Sequence, residues 1–281
     1  MTTAPAPPHQ TVLEIRASRG WRALDLRELW AYRELLVIFA WRDIKVRYRQ
    51  TILGAAWVMG QPLLTMLIFT LVFNRIAKFN APGVPYPVFV LAGVLIWTFV
   101  SSTISHAGNS LIGASFLISK VYFPRLAIPL SNVMLNVVDF GVGIVLLAGV
   151  MVWYRVVPGV TIVFLPFVIL VAALFALGIG LWVAAANVEY RDVRVIIPFA
   201  LQLAMYATPV VYPMAALPPA YRRIAVINPM TGIVEAFRAS LFGTPMPGAG
   251  ALAWSVVASL LCLIGGAFYF RRMERLFADV I

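Results

Sequence analysis

The stretch TIVFLPFVILVAALFALGIGLWVAAA, residues 161–186, contains no charged residue. A helix of about 20 apolar residues crosses the roughly 30 Å hydrocarbon core of a bilayer, so this stretch is long enough to span one. Other charge-free stretches also exceed that length, among them residues 50–74, 195–221 and 239–270. Together they predict an all-α integral membrane protein.

The composition of the whole chain agrees with this prediction. Of 281 residues, 62% are hydrophobic and 12% are charged, and the mean hydropathy is +0.91. A soluble domain carries about twice that share of charge, and a disordered chain is far less apolar, so both classes are excluded. The net charge of +11 is typical of basic residues collected at a membrane surface and does not require a nucleic-acid partner. The one cysteine, Cys262, excludes a disulfide framework and a thiol metal cluster.

We predict a transmembrane domain over residues 24–273, after a disordered cytoplasmic tail (1–23) and before a cytoplasmic C-terminus (274–281). With the N-terminus inside, the inner segments carry 16 Lys and Arg and the outer segments carry 6. The positive-inside rule therefore places both termini in the cytoplasm. The six predicted transmembrane helices lie at about 52–73, 86–107, 126–152, 161–186, 195–211 and 249–270.

Residues 24–49 have the pattern of an amphipathic helix, with apolar residues at steps of three and four. Aromatic anchors and a following basic cluster are suited to the lipid headgroup region, so we predict an interface helix. An ordinary helix docked on the bundle is the alternative. The residues that we assign to the interface role are Leu26, Trp30, Trp41, Arg42, Lys45, Arg47 and Arg49.

The predicted cytoplasmic loop 108–125 is rich in aromatic and aliphatic residues. Apolar side chains exposed to water usually mark a docking surface, so we predict a short helix that contacts a partner. The alternative is a loop tucked under its own bundle. The proposed docking residues of this loop are Phe116, Lys120, Tyr122 and Phe123.

Charged residues between and within the later spans are few. Residues 187–194 include Arg191 and Asp192, and composition alone predicts a solvated loop there. Asp139 lies deep in the third predicted span, where an ionisable residue is functional by default. Its role is either an internal hydrogen bond or a place on a transport path.

Residues 212–248 form a proline-rich region before the last span. Asn228 is suited to cap a helix, Pro229 to its first position and Gly243 to its end. The helix between them is too short to span, so we predict a pair of re-entrant helices that enter and leave on the outer side.

Sequence motifs for catalysis are absent. The chain has no Gly-x4-Gly-Lys-Ser/Thr phosphate loop, and its two histidines, His9 and His106, lie in no cluster of acids or metal ligands. An intramembrane enzyme would need a group of polar catalytic residues, but only Asp139, His106 and scattered Ser and Asn are present. We therefore predict neither an enzyme nor a metal site.

Several motifs carry a resemblance to a known family. WRDIKVRYRQTILGAAW (41–57) continues through QPLL (61–64) to FTLVF (69–73). Later stretches also fit, in the expected order: LISKVYFP (117–124), NVEYRD (187–192), TPVVYP (208–213) and NPM (228–230). Over about residues 29–270 the chain resembles the ABC-2 type permeases of polysaccharide exporters, closest to the O-antigen subgroup often called Wzm.

The resemblance implies a homodimer in the bacterial inner membrane that exports lipid-linked polysaccharide between its subunits. It also implies two separate ATPase subunits, which hold ATP and Mg and contact loops 108–125 and 187–194; no cofactor belongs to this chain. Residues 212–248 would contain periplasmic gate helices. Two alternatives in the same superfamily remain: an exporter of capsule or of teichoic-acid-like wall polymer, and an exporter of drugs or small lipids.

Aromatic residues are candidates for the channel, because the C–H faces of sugars stack on rings without a tight polar grip. Phe69 and Phe73 lie one turn apart near the outer end of the first span, and Tyr206 and Tyr212 lie near that of the fifth. We predict that these four line the exit, with Asn228 and Pro229 at the gate. The alternative is an interfacial aromatic belt.

The charge bias leads to a testable topology. Lys120 should face the cytoplasm, whereas Lys78 and Arg222 should face outward. Cysteines placed singly at these positions in a Cys262→Ser background should react accordingly with a membrane-impermeant maleimide. Labelling of a cysteine at position 120 from outside would contradict the topology.

Overall fold

The computed structural model describes residues 30–49, 54–76, 78–79, 81, 83–118, 120 and 123–274, and within these it contains helices and no strand. We number the α-helices in chain order. The first five are α1 (Arg33–Arg49), α2 (Gly54–Phe69), α3 (Tyr86–Gly113), α4 (Ser115–Ile118) and α5 (Ala127–Trp153). The others are α6 (Leu165–Glu189), α7 (Val193–Ala207), α8 (Pro219–Ile227), α9 (Pro229–Phe242) and α10 (Ala249–Met273).

Five helical segments are long and apolar enough to cross a membrane, which confirms the all-α membrane class and five of the six predicted spans. The α2 span includes a π-helical continuation, Thr70–Ile76, and the α6 span includes a 3-10 helix, Val160–Phe164. The five segments are Trp57–Ile76, Tyr86–Gly113, Ala127–Trp153, Val160–Glu189 and Ala249–Met273.

The sixth predicted span, 195–211, is an apolar helix that is shorter than expected. Helix α7 has 15 residues, which corresponds to about 22 Å, less than the roughly 30 Å hydrocarbon core. It ends at Ala207 because Thr208 precedes a proline and is extended, with φ −102° and ψ 142°. The chain then continues as buried, non-helical backbone through Val211.

Helix α3 is the central element of the bundle. It packs against α2, α5, α6 and α9, and most of its residues are buried within the single subunit. It also extends past the predicted end at residue 107, and polar side chains in its last turns bond to its own backbone: Asn109 Nδ2 donates to Ser105 O (2.8 Å) and Ser110 Oγ to Ala107 O (2.6 Å). The predicted loop 108–125 therefore begins only after Gly113.

Helix α6 packs closely against α10 and against α3 at glycine residues. A Cβ atom on Gly178 would lie 2.5 Å from Leu263 N, and one on Gly180 would lie 2.8 Å from Ala107 Cβ on α3. Small residues of this kind let membrane helices approach closely. Close packing matters because, in lipid, no hydrophobic effect holds the helices together. Gly141 on α5, in contrast, has open space around its Cα.

The region before the last span contains the expected pair of short helices. Asn228 caps α9, its side chain accepting a hydrogen bond from Met230 N (3.0 Å), Pro229 occupies the first turn, and Gly243 ends the helix with φ 67°. These capping predictions are confirmed. The two helices differ in burial: α9 is almost wholly buried, whereas α8 buries only Ala225. Their role as gate helices remains a prediction.

Candidate functional site

A polar groove runs along one face of the central helix α3. Its larger part is a cavity of about 360 Å³ between α3 and α7. The polar lining consists of hydroxyl, amide and imidazole groups, and the cavity has no charged lining residue. The side chains that define this chemistry are Trp97, Ser101, Ser102, Ser105, His106 and Gln202.

A second, smaller cavity of about 90 Å³ adjoins the first, since Ser102 lines both. It reaches Gln61 on α2, Asn136 and Asp139 on α5, and Arg47 on α1. His106 Nδ1 lies 3.0 Å from Asn136 Oδ1, so a hydrogen bond joins the linings of the two cavities. We refer to the two together as the polar groove.

The hydroxyls of the polar groove recur at helical spacing. Thr98, Ser101, Ser102 and Ser105 follow one another at steps of three, one and three residues, which places them on one side of α3. Sequence reasoning treated these serines as scattered. The signal was their 3.6-residue period inside an otherwise apolar span.

Asp139 is held by the C-terminal end of α1. Its carboxylate pairs with Arg47 (Nη1 to Oδ2, 2.9 Å) and accepts a hydrogen bond from Tyr48 OH (2.5 Å at Oδ1). Burial and this hydrogen bond raise the pKa of the Tyr48 hydroxyl, so it keeps its proton and donates. Asp139 thus has an internal bonding role and also lines the polar groove.

Helix α1 combines both interpretations of the N-terminal segment. Phe39 and Ala40 are buried, and the helix packs on α5 as a docked helix would. Trp30 and Trp41 are exposed, and the ammonium of Lys45 lies 5.5 Å from the Trp41 ring centroid, an arrangement suited to lipid headgroups.

Of the other residues predicted for the lipid interface, some lie within the described part of the chain and some lie outside it. Arg42 is exposed and pairs with the neighbouring Asp43 (2.8 Å). Leu26 lies outside the described residues, as does the side chain of Arg49. The assignment of all these residues to a lipid interface stays a prediction.

The predicted docking loop presents one aromatic side chain and buries another. Phe116 on α4 is 71% exposed, and the ammonium of Lys120 lies 4.4 Å from its ring centroid. Phe123, which we expected to contact a partner, is only 5% exposed because it packs edge-on against Phe39 at 5.6 Å. Tyr122 lies outside the described residues.

The charged pair of the second predicted docking loop is open to solvent. Arg191 and Asp192 lie in the turn between α6 and α7, and both are exposed. Their position leaves them accessible to a partner, and the docking role itself stays a prediction.

The four predicted channel aromatics form two separate groups. Phe69 and Phe73 are 5.8 Å apart, and Phe73 stacks on Phe79 at 5.9 Å. Tyr206 is exposed, and Tyr212 OH donates to its carbonyl oxygen (3.0 Å). None of the four lines the polar groove.

Sequence reasoning missed Arg238, which we had counted among the outer loop charges. It is 3% exposed, and its guanidinium donates to Phe89 O (Nε, 3.2 Å), Pro209 O (Nη1, 2.7 Å) and Val210 O. It also pairs with Glu235 (3.3 Å). The available signal was its spacing on α9, since position 238 falls on the same face as 234 and 241.

No cluster of three or more His, Cys, Asp or Glu side chains able to hold a metal occurs in the part of the chain that the structure describes. The polar groups of the larger cavity are side-chain hydroxyls, an amide and rings.

Comparison with known proteins places these features in a family context. A model of the ABC-2 type transporter family matches residues 34–242. The chain is 30% identical to the O-antigen export system permease protein RfbA of Myxococcus xanthus, over 91% of this chain and 98% of that protein. It is 26% identical to the protein of the same name in Klebsiella pneumoniae, over 88% and 95%. The polysialic acid transport protein KpsM of Escherichia coli is 25% identical, over 83% and 91%.

The Asp139 cluster leads to a double-mutant prediction. Arg47→Met leaves the Asp139 carboxylate without its cation and should destabilise the protein by roughly 1–3 kcal/mol, less than a fully buried pair because Arg47 is partly exposed. Adding Asp139→Asn removes the unpaired charge, keeps an acceptor for Tyr48 and should restore most of the stability. Thermal unfolding of detergent-purified protein measures both changes.

Arg42→Met is the matched control, since Arg42 is exposed and its ion pair is with the neighbouring Asp43. It should leave the midpoint of unfolding nearly unchanged. If the double variant is no more stable than Arg47→Met alone, the unpaired Asp139 charge does not account for the loss of stability.

Proposed function

This chain belongs to the ABC-2 type transporter family, and we propose that it is the permease subunit of an exporter of lipid-linked, O-antigen-like polysaccharide. The substrate would cross the bacterial inner membrane from the cytoplasm, driven by ATP hydrolysis on a separate subunit. The chain is a multi-pass membrane permease related to O-antigen and polysialic acid export permeases.

The observation that carries the proposal is the chemistry of the polar groove. Hydroxyls and an amide exchange hydrogen bonds with sugar hydroxyls, and Leu201 and Met205 add apolar surface to the lining. The larger cavity has no charged lining residue, so a passing glycan would meet no strong ionic grip. A polymer that must slide through needs weak, repeated contacts of this kind.

The groove is open along one side of the subunit, and this supports a homodimer. The helices that flank it, α2 and α7, expose many apolar side chains in the single chain, among them Leu67, Leu71, Phe199 and Leu203. A second copy facing the first would enclose the two grooves in one conduit. Lipid is the other environment that would cover such side chains.

Energy for transport would come from two ATPase subunits beneath the dimer. The chain has no phosphate-binding loop of its own. Phe116 supports docking at the loop between α3 and α5, because an exposed aromatic side chain beside a cation is the kind of anchor that dominates interfaces. ATP and Mg would be held by the ATPase subunits.

The alternatives differ in what the groove carries. A capsule or wall-polymer exporter would use the same groove for another glycan, and the similarity to KpsM is compatible with it. An exporter of drugs or small lipids would be favoured if small amphiphiles, and not lipid-linked glycan, stimulated ATP hydrolysis by the purified complex.

A steric block of the groove tests the proposed function. Ser105→Trp should fill the larger cavity and abolish transport of lipid-linked glycan into vesicles containing the permease–ATPase complex. Val145→Trp is the matched control, because Val145 is 72% exposed on α5 and does not line the groove. It should leave transport unchanged.

Both variants should assemble with the ATPase in normal amounts. Equal glycan transport by Ser105→Trp and the unmodified permease would contradict the assignment of the groove. Mass spectrometry of the glycolipid that accumulates in a deletion strain would then distinguish O-antigen from capsule and wall polymer.

Removal of the exposed aromatic side chain tests the docking surface. Phe116→Ala should weaken ATPase binding by about 2 kcal/mol, roughly thirtyfold in affinity, as expected for loss of an anchor residue. Retention of the ATPase on tagged permease measures the effect. Phe164→Ala, an exposed aromatic at the start of α6, is the control and should retain the partner fully. If Phe116→Ala retains a full complement of ATPase, the loop only connects two helices and is not a docking surface.

A further inference from the structure

Arg238 joins three parts of the subunit that are distant in sequence. Its side chain arises from α9 and donates to the first turn of α3, at Phe89 O, and to the segment after α7, at Pro209 O and Val210 O. The guanidinium also lies over the Phe89 ring. A Cβ atom on Gly93 would collide with the guanidinium, so α3 leaves room for it.

Arg238 donates hydrogen bonds to backbone carbonyls at a point inside the bundle where helical structure is interrupted. Carbonyl groups 209–211 follow the end of α7 and have no helical partners, yet Val210 and Val211 are almost fully buried. Unpaired backbone groups in such a place cost several kcal/mol, and non-helical backbone persists there only when protein groups bond to it. Tyr86 OH completes the set by donating to Val211 O (2.5 Å).

A second set of contacts ties the same segment to α9. Asn228 Nδ2 donates to Thr208 Oγ1 (2.8 Å) while its carbonyl oxygen caps α9. On the opposite side, Ser255 Oγ of α10 donates to Pro229 O (2.8 Å). Helix α9 is therefore fixed to α3, α10 and the 208–211 segment.

Helix α8 has no comparable attachment among the described residues. Tyr221, Ile224 and Ile227 are each more than 60% exposed, and Arg222 bonds only to the preceding turn, at Ala215 O and Leu217 O. The Trp254 indole holds its last residue, at Ile227 O (2.7 Å). Among the described residues, α8 is therefore bonded to the rest of the bundle at that end, whereas α9 is bonded on several sides.

We infer that Arg238 is a positioning residue that locks α9 and the 208–211 segment to α3, so that the outer exit opens by movement of α8 alone. This inference rests on the proposed export function and divides the predicted pair of gate helices into one fixed and one moving element. The planar guanidinium is suited to this role, since it bonds to several fixed carbonyls at once.

A disulfide between α9 and α10 tests whether α9 moves. A Cβ atom on Gly232 would lie 3.4 Å from Ser255 Cβ, close to the separation in a disulfide. In the Cys262→Ser background, Gly232→Cys/Ser255→Cys should export glycan at the same rate when oxidised and when reduced. Loss of export on oxidation would overturn the inference. If neither the reduced double-cysteine variant nor the Cys262→Ser protein exports glycan, that result would count against the proposed function instead.

A fluorescent probe tests which helix moves. Bimane attached to Ile224→Cys on α8 should change its emission when the complex is trapped with nucleotide. Bimane on Phe242→Cys, at the end of α9, should not. A shift at position 242 without one at 224 would overturn the inference.

Rescue tests Arg238 itself. Arg238→Met should hydrolyse ATP but lose export, and oxidising the Gly232→Cys/Ser255→Cys pair in this variant should recover export by holding α9 in place. A residue needed only for folding would show no recovery on oxidation. If Arg238→Met does not assemble, the disulfide and probe experiments still decide the question.

Discussion

The structure depends on one constraint: backbone carbonyls that leave helical structure inside a membrane bundle must find donors within the protein. Helix α7 ends after 15 residues, and the segment that follows is buried. Arg238 and Tyr86 supply the donors, one from α9 and one from the start of α3. The space at Gly93 is where the Arg238 guanidinium lies.

The interior is polar in a selective way. The larger cavity of the groove has neutral hydroxyl, amide and ring groups among apolar residues, whereas the two partly buried acids, Asp139 and Glu235, are each paired with an arginine. Pairing removes the strongest electrostatic attractions from the interior. What remains facing the larger cavity can form hydrogen bonds without a charged group.

A continuous set of contacts connects the predicted docking loop with the middle of the bundle. Phe123 at the end of that loop packs on Phe39 of α1, and the last turn of α1 contains Arg47 and Tyr48, which bind Asp139 on α5. Asp139 lines the groove. Helix α1 therefore contacts both the loop and the groove, although its sequence shows only an amphipathic pattern.

The sequence by itself determined the class of the protein, five of its spans and the caps of α9. These features are local: apolar runs identify spans by length, and Asn228, Pro229 and Gly243 act within one or two turns of the chain. The resemblance to ABC-2 permeases also rested on contiguous motifs, and the family match confirmed it.

Only the tertiary structure decided which of the side chains outside the apolar runs face inward. Phe123 was expected at the surface and is buried, and Arg238 was counted as an outer charge and lies in the core. Both outcomes come from partners far away in the chain, Phe39 for one and Phe89 for the other, and no local pattern specifies such pairings.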